Sequence, residues 1–200
     1  MNKPISEACL RNQQPIAEAL YSLFPTAANV LEIGSGTGQH AVFCAQALPH
    51  IKWQTSDLPQ NHGGMLQWIK EAGLDNVLAP LTLDIDKVWP EFKAAAIGHV
   101  FTANTVHYIA DASIVNMFSN VSELLPEKGL FVIYGPVNVK GQFTSEGNAG
   151  LDEWLKTSVN PLAGIKDIAD IERLAKDQGL ALIDNLAMPA NNRLLVLQKL

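Results

Sequence analysis

An apolar run that ends in an acid and then alternates with glycine, Val30-Leu31-Glu32-Ile33-Gly34-Ser35-Gly36-Thr37-Gly38-Gln39-His40, constrains this chain more than any other stretch. A tight turn leaving a buried strand needs positive φ or a missing Cβ. A nucleotide-like ligand can lie against backbone only where no side chain intervenes. The stretch therefore predicts a strand, a cradling loop and a helix, the opening of a doubly wound α/β sheet that holds an adenosine cofactor. Spacing narrows the choice. A dinucleotide fingerprint, G-x-G-x-x-G, requires glycine at position 39 for close helix packing under a pyrophosphate, and this chain has Gln39. The nicotinamide oxidoreductase reading conflicts with that residue.

What remains, acid-x-Gly-x-Gly-x-Gly, resembles motif I of class I S-adenosylmethionine (SAM) methyltransferases. The resemblance implies that Glu32, Gly34, Ser35, Gly36, Thr37 and Gly38 form the cofactor side of a site. Glu32 lies within an apolar strand, and a buried carboxylate without a partner is costly, so a donor is expected from a SAM amino group or the loop amides. Asp57 follows Glu32 by 25 residues, the separation expected if it ends a second strand and accepts from a pair of ribose hydroxyls. The same residue before Leu58-Pro59 would also serve as a helix N-cap. Asp84, in Leu81-Thr82-Leu83-Asp84-Ile85-Asp86, either accepts from the adenine amino group or is a solvated cap.

Two hundred residues, 48% apolar and 17% charged, fit one domain spanning residues 1–200 and lack the composition of a disordered chain. A net charge of −6, with Arg11, Arg173 and Arg193 as the arginines and no lysine cluster, argues against a nucleic-acid partner. Residues 1–14 have neither an apolar signal core nor an Arg-rich amphipathic pattern, and no apolar run is long enough to span a bilayer. The expectation is a cytoplasmic protein, monomer or homodimer, with no membrane association. Cys9 and Cys44 form no metal-ligand pattern, so reduced thiols and no metal site are expected.

Strand and helix patterns alternate along the chain. A helix around Pro15–Leu23, with Pro15 near its first turn, precedes strand 29–33, and a helix over 39–48 follows the glycine loop. Next come strand 51–56, helix 63–72 capped by Gly73, strand 79–83, a short helical stretch at 89–96, strand 99–103, helix 112–125 and strand 130–134. Residues 135–150 read as an unusually long loop. Helices near 151–157 and 168–178 lead to strands 181–186 and 194–200, joined by a turn too short for a parallel crossover. The predicted architecture is a Rossmann-like, mostly parallel sheet of seven strands with a C-terminal antiparallel hairpin, the class I methyltransferase arrangement.

Ligands in such sheets bind beyond the carboxyl ends of the strands. There the chain places Asn104, His107 and Tyr134. Asn104 joins the cofactor candidates. His107 is the candidate general base, because an imidazole near its ordinary pKa of about 6.5 accepts a proton at neutral pH. Its alternative is a histidine that only positions the substrate, since transfer relies heavily on in-line orientation. His40, at a helix start, could contact the cofactor loop but reads more readily as partly exposed surface.

Arg11-Asn12 before a Pro-Ile helix, Leu31–Ala41, Trp53-Gln54-Thr55-Ser56-Asp57, Asn104 with His107, Tyr134-Gly135-Pro136 and Met188-Pro189-Ala190-Asn191-Asn192, taken in order, resemble the methyltransferase-like-26 family. Gly34 stands where that family usually has Ala, and Asn104-Thr105-Val106-His107-Tyr108 departs from its usual Asn-Met-x-His-Ile. The resemblance implies a SAM-dependent fold. It makes Tyr134 a catalytic candidate, and Arg11, Asn12, Asn191 and Asn192 candidates for the substrate side. For each a structural role stays open, Asn191-Asn192 as shapers of the hairpin turn. The expected activity is methyl transfer from SAM to oxygen, nitrogen or sulfur of a small polar molecule. The alternative is a SAM-binding or interaction module without catalysis.

Overall fold

The computed structural model describes residues 3–92 and 97–200. One seven-stranded sheet runs in the order β3-β2-β1-β4-β5-β7-β6, and the chain divides into two compact units, residues 1–101 and 102–200.

The first unit comprises α1 (Glu7–Leu23), β1 (Ala28–Ile33), α2 (Gln39–Ala47), β2 (Ile51–Asp57), α3 (Pro59–Ala72) and β3 (Val77–Thr82), and contains most of β4 (Ile97–Ala103). β1 pairs in parallel with β2, setting Glu32 opposite Thr55 and Ile33 opposite Ser56. β2 pairs in parallel with β3, setting Asp57 opposite Thr82. The loops after β1 and β2 therefore emerge side by side. Val30, Leu31, Ile51 and Trp53 are fully buried with Ile16, Leu20 and Phe24 of the N-terminal segment. Each such side chain contributes about 1.5–3 kcal/mol by leaving water. Trp53 meets Phe101 edge to face at 5.7 Å.

Helix α1 begins eight residues before the expected start. The Ser6 side chain accepts from the Cys9 N–H, and Pro15 lies inside the helix. A proline there removes the hydrogen bond to the carbonyl four residues earlier, which belongs to the exposed Arg11. The long buried stripe formed by Asn12, Ile16, Ala17 and Leu20 offsets that loss. Helix α3 likewise starts earlier, at Pro59, whose fixed φ suits a first turn. Its left-handed Gly73 cap is as expected. Trp89–Phe92 are irregular instead of helical, and the rest of that expected stretch, 93–96, lies outside the described residues.

The second unit comprises α4 (Asp111–Leu124), β5 (Leu130–Pro136), α5 (Glu146–Trp154), α6 (Ile168–Asp177), β6 (Leu180–Met188) and β7 (Asn192–Lys199). β7 pairs antiparallel with both β5 and β6, giving the expected hairpin, with Arg193 opposite Gly135 on one side and Ala187 on the other. The irregular stretch after β5 is shorter than expected. β5 continues through Pro136, and Ser145 caps α5 by accepting from the Asn148 N–H at 3.1 Å. The loop is also pinned. Asn138 exchanges backbone hydrogen bonds with Lys166 and Ile168, and the Gly141 N–H donates to Asp167 at 2.6 Å.

Asp152 fixes the connection that follows. This buried carboxylate accepts from the Ile165 N–H at 2.7 Å and from Lys156 at 2.6 Å. A Cβ on Gly164 would stand 2.8 Å from its Oδ1. The Gly164 N–H in turn donates to the carbonyl of His107 at 2.9 Å. Removing Asp152 strands a buried amide, so Asp152→Ala is expected to lower stability by about 2–3 kcal/mol in urea unfolding.

Candidate functional site

In the first unit the glycine loop is built by its backbone. Gly34, Gly36 and Gly38 all adopt positive φ, at 70°, 56° and 87°. At Gly38 a Cβ would also lie 2.8 Å from Met65 Cγ, so only glycine fits. At Gly36 a Cβ would meet nothing within 4 Å, which leaves the loop's crest open to an approaching molecule. Serines bind the loop to β2: the Ser35 N–H donates to the Ser56 carbonyl at 3.0 Å, the Ser56 N–H to Ser35 Oγ at 3.2 Å, and the Ser56 hydroxyl to the Glu32 carbonyl at 2.6 Å.

Asp57 closes the arrangement. Its Oδ2 accepts from the Gly36 N–H at 2.7 Å, and its Oδ1 from the Leu58 N–H at 2.7 Å and Asn61 Nδ2 at 2.8 Å. The N-cap of α3 is Leu58, so Asp57 orders the entry to that helix from one residue before it. A carboxylate offers about four lone-pair sites. With three taken, Asp57 has room for a single further donor instead of a pair of hydroxyls.

Glu32 is buried, as its place in an apolar strand implies. Its donor is the Trp53 indole, 2.9 Å from Oε2, which sequence reasoning did not foresee. The strand register predicts it in retrospect, because position 53 pairs opposite Val30 on the neighbouring strand. Burial pushes the Glu32 carboxyl up to about 7, opposed by the Trp53 and Ser35 hydrogen bonds and reinforced by the charge of Asp57.

Gln39, notable in the sequence only for not being glycine, is almost completely buried. Its Oε1 accepts from the Ser6 N–H and from the Thr37 hydroxyl at 3.0 Å. Its Nε2 is buried with no hydrogen-bond partner. His40 is also buried instead of partly exposed, with Nε2 2.7 Å from Asn12 Oδ1 and Nδ1 3.7 Å from Cys9 Sγ. Burial drops its pKa to about 4. Asn12 therefore serves a buried histidine, while Arg11 is exposed on α1.

Asp84 caps its own turn. It accepts from the Asp86 N–H at 3.1 Å and pairs with Lys87 at 3.0 Å, and the Lys87 hydrogen bond holds its carboxyl below the ordinary value. Of the two sequence readings, the local cap is the one the hydrogen bonds match.

In the second unit Asn104 stands at φ +55°, a left-handed position that asparagine tolerates better than most side-chain-bearing residues, and its N–H donates to the Tyr134 carbonyl at 2.9 Å. The next residues form a short 3₁₀ turn, Val106–Tyr108, that buries His107. The imidazole is 4.8 Å from the Tyr108 ring, and a Cβ on Gly135 would stand 3.5 Å from Nδ1. Burial, with the charge of Lys166, drops the His107 pKa to about 4, well below the value expected from sequence. His107, Tyr134, Gly135 and Arg193 line a small pocket of about 10 Å³, room for a single water. Tyr134 is itself nearly inaccessible. Asn191 and Ala190 take left-handed backbone at φ 58° and 57°, and Asn192 Nδ2 donates to the Pro189 carbonyl at 3.1 Å, so the paired asparagines shape the hairpin turn. Arg193 beside them was not singled out from sequence.

The family described as "Protein of unknown function (DUF938)" matches residues 3–199, and the chain belongs to that family. Its fold is that of class I methyltransferases. The solved mitomycin 7-O-methyltransferase MmcR superposes with a TM-score of 0.84 at 16% identity, over 96% of this chain and 54% of the other. An O-methyltransferase family protein from Burkholderia thailandensis gives 0.81 at 18%, over 96% and 57%. An O-methyltransferase from neocarzinostatin biosynthesis, crystallised with SAM and 2-hydroxy-5-methyl naphthoic acid, gives 0.79 at 17%, over 96% and 55%. This chain spans about half the length of those proteins.

The raised Glu32 pKa carries a stability consequence. Between the ordinary carboxyl value of 4.5 and about 7 the folded chain holds a proton that the unfolded chain has released. Stability is therefore lost as pH rises through that window and levels off above it. Compared with Glu32→Gln, the unsubstituted protein is expected to lose roughly 3 kcal/mol between pH 4.5 and 7.5, measured by denaturant unfolding of both proteins across that range.

Proposed function

We propose that the chain is a SAM-dependent methyltransferase of the methyltransferase-like-26 kind, acting as one functional domain on a small polar molecule. The observation that carries this reading is the open crest at Gly36: positive φ, no atom within 4 Å of where a Cβ would stand, and an N–H already aligned by Asp57. The buried Gln39 Nε2 without a partner, and a Glu32 carboxyl that titrates near neutrality, are further groups that a polar, cationic cofactor suits. Bound SAM supplies an electrophilic methyl group on a sulfonium. Glu32, the 34–38 backbone, Gln39 and the remaining acceptor site of Asp57 are the groups assigned to hold it, with Asn104 assigned on sequence position alone. The bonds of Asp84 favour no cofactor role for it.

The acceptor-side candidates are His107 and Tyr134. His107 is neutral throughout the physiological range, which is the state that can accept a hydrogen bond from an acceptor O–H or N–H. With a pKa of about 4 it is a weak base. Its work is to orient the nucleophile's lone pair, and to take the proton late, as positive charge builds on the attacking atom. Tyr134 is assigned to the wall of that pocket.

Calorimetric titration with S-adenosylhomocysteine, with NAD as control, tests the cofactor: micromolar binding of the former alone is expected, and NAD binding without it overturns the reading. Asp57→Ala frees the Gly36 and Leu58 amides and is expected to weaken S-adenosylhomocysteine binding at least tenfold. Unchanged affinity removes Asp57 from the site. Once an acceptor is found, the rate should show no ionisation of His107 between pH 5.5 and 8. A histidine-dependent step near pH 6.5 that vanishes in His107→Gln would contradict the depressed pKa.

A further inference from the structure

Helix α3 carries two adjacent glycines, Gly63 and Gly64, in its second turn. Glycine inside a helix is less stable than alanine, so a close contact is the physical reason for one to stand there. At Gly63 a Cβ would meet nothing within 4 Å, whereas at Gly64 it would run into the Pro4 ring. The second glycine makes room for the N-terminal segment. One turn on, the Trp68 indole N–H donates to the Pro4 carbonyl at 2.7 Å. Lys3 Nζ lies 3.5 Å from the centre of the Trp68 ring and 2.7 Å from the Glu71 carboxylate. Positions 64, 68 and 71 share one face of α3, and residues 3–6 are strapped along it.

The far end of this strap closes on the glycine loop. The Ser6 N–H donates to Gln39 Oε1, which also accepts from the Thr37 hydroxyl at 3.0 Å. Gly38 packs against Met65, the neighbour of Gly64 in sequence, so the strap and the loop rest on consecutive residues of α3. The amide group that the strap grips is the one whose Nε2 is buried without a hydrogen-bond partner. A sealed donor with no acceptor is costly. A ligand on the loop that supplies the acceptor must first get past what covers it. The strap is the cover best suited to move: Pro4 and Ile5 are exposed, and Glu71, which anchors Lys3, is 68% exposed. Contacts of that kind open well before a core does.

We propose that residues 3–6 gate the glycine loop: their release from α3 uncovers Gln39 Nε2 to an acceptor atom of the ligand, and their return seals that hydrogen bond from water. Lys3, Pro4 and Gly64 are then positioning residues that act through Ser6 and Gln39. The identity of the ligand rests on the methyltransferase reading, whereas the opening of the strap does not.

The test compares Gly64→Ala with Gly63→Ala in the whole chain. Both substitutions favour the helix, and only the first meets the strap. Amide hydrogen exchange, read by NMR, follows the Ser6 N–H against the Trp53 N–H, which donates to the Asn76 carbonyl in the core. In the unsubstituted protein Ser6 should exchange far faster than Trp53. Gly64→Ala should speed Ser6 by roughly tenfold or more and leave Trp53 unchanged, with Gly63→Ala changing neither. Surface plasmon resonance with S-adenosylhomocysteine should show both association and dissociation faster in Gly64→Ala, so that affinity moves less than either rate. Gln39→Glu keeps an acceptor for Ser6 and Thr37 but loses the donor. It should leave Ser6 protected and weaken S-adenosylhomocysteine binding about tenfold. Ser6 exchanging no faster than Trp53, Gly64→Ala behaving like Gly63→Ala, slower association in Gly64→Ala, or unchanged affinity in Gln39→Glu overturns the proposal. Failure of S-adenosylhomocysteine to bind the unsubstituted protein, with Ser6 still released by Gly64→Ala, overturns the cofactor reading alone.

Discussion

The first unit depends on one carboxylate. Asp57 accepts from an amide in the glycine loop, from its own following amide and from a side chain one turn into α3. It thereby couples the exit of β1 to the exit of β2 and the start of a helix. Without those bonds a loop with three positive-φ glycines would have many accessible conformations, because glycine loses more freedom on folding than any other residue. The parallel register makes the coupling possible. Pairing Ile33 with Ser56 brings the two strands to an end at the same level.

The two acids of this region are satisfied in different ways. Asp57 has three donors within 2.8 Å. Glu32 has the indole of Trp53 and a weaker contribution from Ser35 against complete burial. Burial favours the neutral acid and donors favour the anion, and at Glu32 burial prevails and moves the carboxyl up toward neutrality. The histidines obey the same rule with opposite sign. Burial favours the uncharged imidazole, which keeps both His40 and His107 neutral at physiological pH.

The succession of strands and helices, the hairpin and the glycine loop were legible because they rest on local signals: apolar runs, turn glycines and a connection too short to cross over. The boundaries that differed were set by partners distant in sequence or by weak caps. Helix α1 extends back to Ser6 since its buried stripe outweighs a proline, and no local pattern reveals which face of that segment meets the core. His40 looked like surface because the residue that satisfies it, Asn12, lies 28 positions earlier. Asn12 entered as a substrate-side candidate through the family resemblance, and its contact with His40 comes from the packing of α1 on α2. Asp57 and Glu32 stood out in the sequence, but the donors Asn61 and Trp53 come from a helix turn and a strand register that only the fold supplies.

The weak basicity of His107 also limits which nucleophiles the proposed chemistry suits. An imidazole with a pKa of about 4 removes little proton density before transfer. An aliphatic hydroxyl, which needs strong activation, is therefore poorly matched to it. An amine, a thiol or a phenol already presents a usable lone pair, and the nucleophile sheds its proton easily once it carries a fourth bond or positive charge. For such acceptors, holding the attacking atom in line matters more than deprotonating it. A rigid turn suits that task better than a mobile one. His107 is held in this way by the Gly164 hydrogen bond to its carbonyl, by the bulk of Tyr108 and by the burial of its ring.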